Sequence, residues 1–391
     1  MKNTSTFSKI FQAVACVALG LGLAVQAYSS IATRKAPEQS VALFPMNGLA
    51  DEQRAFRIFQ SEAAKGRGLR EAARESRNLA LIAQAKEPLT PKAYAILAAA
   101  QSDREIRNSI LARANRLNRR DLALQGFVLE KHLDDQAYDS VLGTLDEMFR
   151  VNPDRDTEFF PILGEALAID EALDAFPSIL NGDAEWHDRF LSFAVRVPEL
   201  RSNLAKIRNE IPIENDEADR ILIAGLAAQG ELSTARALYA NLKSTSGPIG
   251  ADGKLDWASD FIPFEWRFAD DRDFRSQASQ DGEFLEVFVR SGQGGVVAER
   301  VITLPSSSFT IRTNVQSRGS PRSESLRLLL KCGVNDAPLF DKALKTGGNI
   351  FRLEAAPDAC SPALLQIRAR SLRGEPTLRL ELSRIEVKRD K

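Results

Sequence analysis

The 391-residue chain holds 44% hydrophobic and 27% charged residues, the balance of a globular protein with room for two ordinary domains. Its 52 basic and 53 acidic residues leave a formal charge of -1, which excludes a general electrostatic pull toward nucleic acid. Only 2 His and 3 Cys are present, which removes most zinc sites and most nucleophile–imidazole pairs.

Residues 1–30 read as a signal peptide or membrane anchor. Lys2 and Lys9 flank a short polar start, and residues 10–28 are apolar apart from Gln12 and Gln26. Val25-Gln26-Ala27 presents small residues where a signal peptidase reads. The run of about 19 residues is also just long enough to span a bilayer uncut. Arg34 and Lys35 follow it, so basic residues stand at both ends and do not orient the segment. Cys16 lies inside the apolar run, which argues against a lipoprotein cleavage site at Ala13-Val14-Ala15-Cys16. Either way, the bulk of the chain is expected to be exported to the periplasm, tethered to the inner membrane or released.

Residues 31–48, with Pro37 and Pro45, are expected to form a linker. From 49 to 244 apolar residues recur every three to four positions, which predicts helices, with Asp51 and Pro91 as start signals. Two stretches share one spacing: Gln136, Tyr138, Val141 and Leu145, and then Gly230, Leu232, Ala235 and Tyr239. A turn residue, a large residue, a small one and another large one is the pattern of a second repeat helix. The turn ends the first helix, the large residue plugs between the two helices, and the small one permits close approach. In this spacing the region resembles a degenerate tetratricopeptide-repeat array, an α-solenoid, although the Trp-Leu-Gly signature is missing.

Residues 245–256, with Gly247, Pro248, Gly250 and Gly253, read as an interdomain linker. From 257 to 391 the period changes from helical to alternating. About eight strands are expected. They centre on Phe264-Glu265-Trp266-Arg267-Phe268, Leu285-Glu286-Val287-Phe288-Val289, and residues 297–304, 309–315, 326–330, 350–353, 365–369 and 378–387. Gly292-Gln293-Gly294-Gly295 reads as a hairpin loop, and a phase shift between Leu382 and Ile385 as a bulge. The expected fold is therefore multidomain, α then β: a tetratricopeptide-like solenoid followed by an eight-stranded antiparallel β-sandwich of jelly-roll type. Cys332 and Cys360, an even pair in a β domain of an exported chain, are candidates for a disulfide, with two separate buried thiols as the alternative.

With its early Phe-x-Trp strand, the hairpin from Leu304 to Ile311, the paired cysteines and the closing strand, the second domain resembles carbohydrate-binding-module-like β-sandwiches. The whole arrangement resembles uncharacterised bacterial envelope proteins with an N-terminal anchor, some of them beside exopolysaccharide machinery. That resemblance transfers no functional residue.

The sequence carries no phosphate loop, dinucleotide fingerprint, zinc-binding spacing or nucleophile elbow. His132 and His187 read as surface or packing residues, and Asp270, Asp271 and Asp273 as a charged turn. Trp257 is the candidate exposed platform for a sugar ring. Arg327, Lys331, Arg368, Arg370 and Arg379 occupy the polar phase of their strands, as a solvated face or a basic face for an acidic polysaccharide. No cofactor, metal or nucleic-acid partner is expected, and no enzymatic activity. The leading reading is an envelope scaffold or adaptor for partner proteins in surface polysaccharide assembly or export. The alternative is a carbohydrate-binding protein acting through the C-terminal sandwich.

Overall fold

The computed structural model describes residues 4–243, 253–317, 325–332, 337–355, 360 and 362–390. Most of the stretch expected to link the helices to the strands, residues 245–252, lies outside the described residues, as does Lys2. The chain divides into two compact units, residues 1–166 and 167–391, so the division does not coincide with the change of period.

The first unit contains α1 (Thr4–Lys35), α2 (Pro37–Leu43), α3 (Gly48–Ala64), α4 (Leu69–Lys86), α5 (Pro91–Ala99), α6 (Arg104–Leu117), α7 (Leu122–Asp134) and α8 (Tyr138–Val151). It ends within α9 (Asp156–Leu167). Where the sequence suggests a linker, residues 31–35 finish α1 and residues 37–43 form α2, because Pro37 sits at the first helical position, where no amide is needed. Asn47, Asp103 and Asp121 cap α3, α6 and α7, each accepting from the amide three residues on. Buried alanines, including Ala72, Ala73, Ala80, Ala83 and Ala93, let α3, α4 and α5 approach closely around Phe59 and Ile96.

Glu52 is buried on α3 and accepts the amides of Lys92 (2.7 Å) and Ala93 (3.3 Å), so a carboxyl from α3 caps the first turn of α5. Burial pushes this carboxyl up to about 7 in spite of those two donors. Its neighbour Asp51 pairs with Lys86 (2.6 Å) and Arg54 (3.0 Å).

The second unit begins with a 3₁₀ turn (Asp170–Ala175), α10 (Phe176–Ile179), α11 (Glu185–Ala194), α12 (Arg201–Ile207), α13 (Asp216–Ala228) and α14 (Leu232–Leu242). His187 is buried on α11; its Nδ1 accepts the Gly182 amide at 3.2 Å and its ring meets Trp186 edge-on. A packing role accounts for it.

Twelve strands follow among the described residues: β1 (Lys254–Leu255), β2 (Arg267–Phe268), β3 (Phe274–Ala278), β4 (Phe284–Val289), β5 (Gly294–Ile302), β6 (Phe309–Ser317), β7 (Leu326–Lys331), β8 (Pro338–Ala343), β9 (Gly347–Leu353), β10 (Ala363–Arg370), β11 (Leu378–Ser383) and β12 (Ile385–Arg389). They form two antiparallel sheets. One runs β1-β12-β6-β11-β4-β3, with β9 on the free edge of β6; the other runs β2-β5-β10-β7-β8. Leu285, Val287, Ile311, Leu328, Ile367, Leu380 and Leu382 fill the space between them.

The structure corrects several details. The segment 260–266 is a turn, and only Arg267–Phe268 of the expected first strand pairs. The Gly292–Gly295 loop and the Leu304–Ile311 connection are not hairpins: each carries the chain from one sheet to the other. The predicted bulge is a full break at Arg384 between β11 and β12. Three strands are additional: β1, which falls at Lys254–Leu255 inside the expected linker, and β3 and β8, whose polar, half-exposed composition hides the alternation.

Candidate functional site

The outward phase of β3, β4, β11 and β6 builds an ordered surface. On one rung Arg275, Phe288 and Arg379 stand directly across from one another; on the next stand Gln277, Glu286, Glu381 and Gln316. The Cβ atoms of cross-strand neighbours of this kind lie about 5 Å apart, so each rung is a row of adjacent side chains. Together they line an open groove of about 550 Å³.

Phe288 is half-buried at its centre. The guanidinium of Arg275 lies 4.9 Å from the ring centroid and that of Arg379 lies 5.5 Å from it. Neither arginine forms an ion pair among the described residues. The ring therefore attracts two exposed cations without neutralising them. On the second rung Gln277 Nε2 donates to Glu286 Oε2 at 2.8 Å. The groove thus presents two guanidiniums beside a row of carboxylates and amides, groups that recognise an anion and adjacent hydroxyls.

Sequence reasoning missed all of these residues except Arg379. The available signal was Phe288, an aromatic in the polar phase of β4. The five basic residues in the polar phase of their strands do not share one face: Arg327, Lys331, Arg368 and Arg370 lie on β7 and β10 of the second sheet, and Arg379 on β11 of the first. Arg327 is also paired with Asp341 at 2.7 Å.

Trp257 is not a surface platform. It is 4% exposed and packs against Trp266 in the core, with ring centroids 4.8 Å apart. Its large apolar area fills the end of the sandwich instead of meeting solvent. Cys332 and Cys360 are joined in a disulfide between the end of β7 and the start of β10.

The two repeat-like stretches each form a helix hairpin. Gln136 and Gly230 both adopt the left-handed conformation, with φ of 53° and 88°. The amides that follow them close the same wrap-around turn, Ala137 onto His132 O and Glu231 onto Leu226 O. Tyr138 and Leu232 begin α8 and α14 and are half-buried, while Val141, Leu145 and Ala235 are buried.

Tyr239 does more than pack helices. Its ring stacks on Phe264 at 5.5 Å, and its hydroxyl donates to Glu265 at 3.2 Å. Glu265 also accepts the amides of Asp260 (2.7 Å) and Phe261 (3.0 Å). Burial and the Glu265 charge push the phenol up to about 12. Burial pulls Arg300 down to about 10, where it donates to Phe264 O and lies over Trp266. This polar junction seats α14 on the turn at the mouth of the sandwich.

Asp270, Asp271 and Asp273 form a turn in which Asp271 accepts the Asp273 amide and Asp273 pairs with Arg290. Among the described residues no group of three or more His, Cys, Asp or Glu is placed to hold a metal.

No protein-family model matches the chain, and no curated protein matches it. Solved structures similar to it include a CBM4 carbohydrate-binding module, 12% identical over 30% of this chain and 76% of that one, with a TM-score of 0.24. A CBM61 module in complex with β-1,4-galactotriose is 10% identical over 34% of this chain and 99% of the module, with a TM-score of 0.23. The K1 cleaved adhesin domain of Lys-gingipain from Porphyromonas gingivalis W83 is 13% identical over 32% and 91% of the two chains, with a TM-score of 0.21.

Proposed function

We propose that this chain is a non-enzymatic, periplasmic binding protein whose C-terminal sandwich holds an acidic glycan on the outer face of β3, β4, β11 and β6. The observation that carries the reading is Arg275 and Arg379 gathered over the Phe288 ring with neither in an ion pair among the described residues. A sugar carboxylate satisfies the guanidiniums, and Gln277, Glu286, Glu381 and Gln316 take hydroxyls of the next residue along the chain. The disulfide and the apolar N-terminal helix support an exported, oxidising location. The helices then act as an adaptor for envelope proteins of surface polysaccharide assembly or export.

The test is affinity electrophoresis of the full chain, in detergent, through gels containing polygalacturonate or neutral dextran. Retardation by the uronate polymer alone, reduced by Arg275→Ala and by Arg379→Ala, is expected. Equal mobility in both gels, or retardation that neither substitution changes, defeats the proposal.

A further inference from the structure

The apolar N-terminal helix does not end where the folded part begins. Helix α1 runs unbroken from Thr4 to Lys35, and its residues 15–35 are long and apolar enough to cross a bilayer. No Asp, Glu, Lys or Arg occurs between Lys9 and Arg34. Val17, Leu19, Leu21 and Leu23 are each more than 60% exposed. The apolar residues 10–28, at about 1.5 Å per residue, match a hydrocarbon core of about 30 Å.

The far end of α1 is clamped at two levels. Ser29 is fully buried; its Oγ lies 2.8 Å from Ser40 Oγ, and Ser40 Oγ donates to Ser29 O at 2.9 Å. The Asn47 amide nitrogen lies 2.9 Å from the hydroxyls of Ser29, Thr33 and Ser40. Further along, Arg57 Nη2 donates to the terminal carbonyls of Arg34 (2.8 Å) and Lys35 (3.1 Å). These contacts set the directions. Helix α2 doubles back along α1, and α3 runs beside α1 in the same sense.

The α2–α3 turn therefore returns to the level of Ser29, where the bare apolar helix begins. At this level Tyr28, Ile31, Leu43, Met46 and Leu49 are between 43% and 79% exposed. Arg34, Lys35 and Arg57 stand beyond them, on the side away from the bare helix. A tyrosine and aliphatic side chains at the foot of a span, with basic groups one layer further out, match the acyl, headgroup and phosphate layers of one leaflet.

We propose that α1 is retained as a membrane span, and that Tyr28, Ile31, Leu43, Met46 and Leu49 form a collar resting in the interfacial layer of a phospholipid bilayer. The Ser29–Ser40–Asn47 cluster transmits the helix direction into α2 and α3, so the first helices stand at a set height on the membrane. Continuity with the charge-free helix favours lipid over a protein surface. The inference is independent of the glycan reading.

The experiment uses the full chain with Cys16→Ser in phosphatidylethanolamine/phosphatidylglycerol vesicles, spin-labelled through Met46→Cys or Gln60→Cys. Gln60 is exposed on α3, about 20 Å further along from Asn47. Power saturation should show the label at 46 relaxed several-fold more by oxygen than by an aqueous nickel chelate, and the reverse at 60. The intact mass of protein purified from native membranes should include residues 1–27. Equal aqueous access at 46 and 60, spin–spin broadening that places two copies face to face at 46, or a mature chain beginning after Ala27 would each overturn the proposal.

Discussion

Replacing Glu52 by Gln exchanges one oxygen for an amide at the start of α5, and the effect should depend on pH with a defined sign. Burial raises this carboxyl from 4.5 to about 7. Below pH 4.5 it is protonated in the folded and the unfolded chain alike and contributes nothing. Between 4.5 and 7 the unfolded chain releases the proton first, so stability falls as pH rises. Above 7 the full penalty applies. At about 1.4 kcal/mol per pH unit it amounts to about 3 kcal/mol. Glutamine keeps the acceptor that Lys92 and Ala93 use and resembles the protonated acid, so it removes the penalty. In a unit of this size 1 kcal/mol is roughly 2–4 °C in Tm. The Tm of Glu52→Gln relative to the parent should therefore climb by roughly 6–12 °C between pH 4.5 and pH 8. The assay is thermal unfolding of the full chain in detergent, followed by hydrogen exchange of α3–α5 amides. A difference that does not change with pH, or a variant less stable at pH 8, would refute the reasoning and mean that the α5 amides hold the ionised form comfortably.

The remaining predictions concern the second unit. Tyr239→Phe deletes the hydroxyl on Glu265 and should destabilise by about 1.5–3 kcal/mol, whereas Tyr239→Ala also empties the stack on Phe264 and should cost about 3–5 kcal/mol. Calorimetry that finds the two variants equal would assign the whole effect to the hydrogen bond. Replacing Cys332 and Cys360 together by Ala opens a loop with a sequence separation of 28 and should lower stability by roughly 3–4 kcal/mol on the chain-entropy estimate. Urea unfolding with an unchanged midpoint would contradict it. Phe288→Ala frees both guanidiniums and should weaken acidic-glycan binding several-fold while leaving its salt dependence in place. Arg379→Ala should weaken binding and flatten the salt dependence, because it removes a charge. Titrations at two ionic strengths separate the two.

The change of hydrophobic period near residue 250 determines that helices come first and strands afterwards, since the side-chain repeat of each element is a local property of the backbone. The apolar run before Arg34, the recurrent turns at Gln136 and Gly230, and the oxidisable pair Cys332 and Cys360 are legible for the same reason: each depends on residues close in sequence or on composition. What faces what is not local. Phe288 becomes a cation clamp because β11, distant in the chain, pairs with the side of β4 opposite its sequence neighbour β3, in a register that sets Arg379 as well as Arg275 across from it. Trp257 reads as an exposed aromatic until the two sheets close over it beside Trp266. Tyr239 reads as a helix plug, and only the turn carrying Phe264 and Glu265 gives it a second partner across the junction. Strand order, register and the return of the α2–α3 turn to Ser29 arise from long-range pairing, where burial of area rather than local preference selects the arrangement.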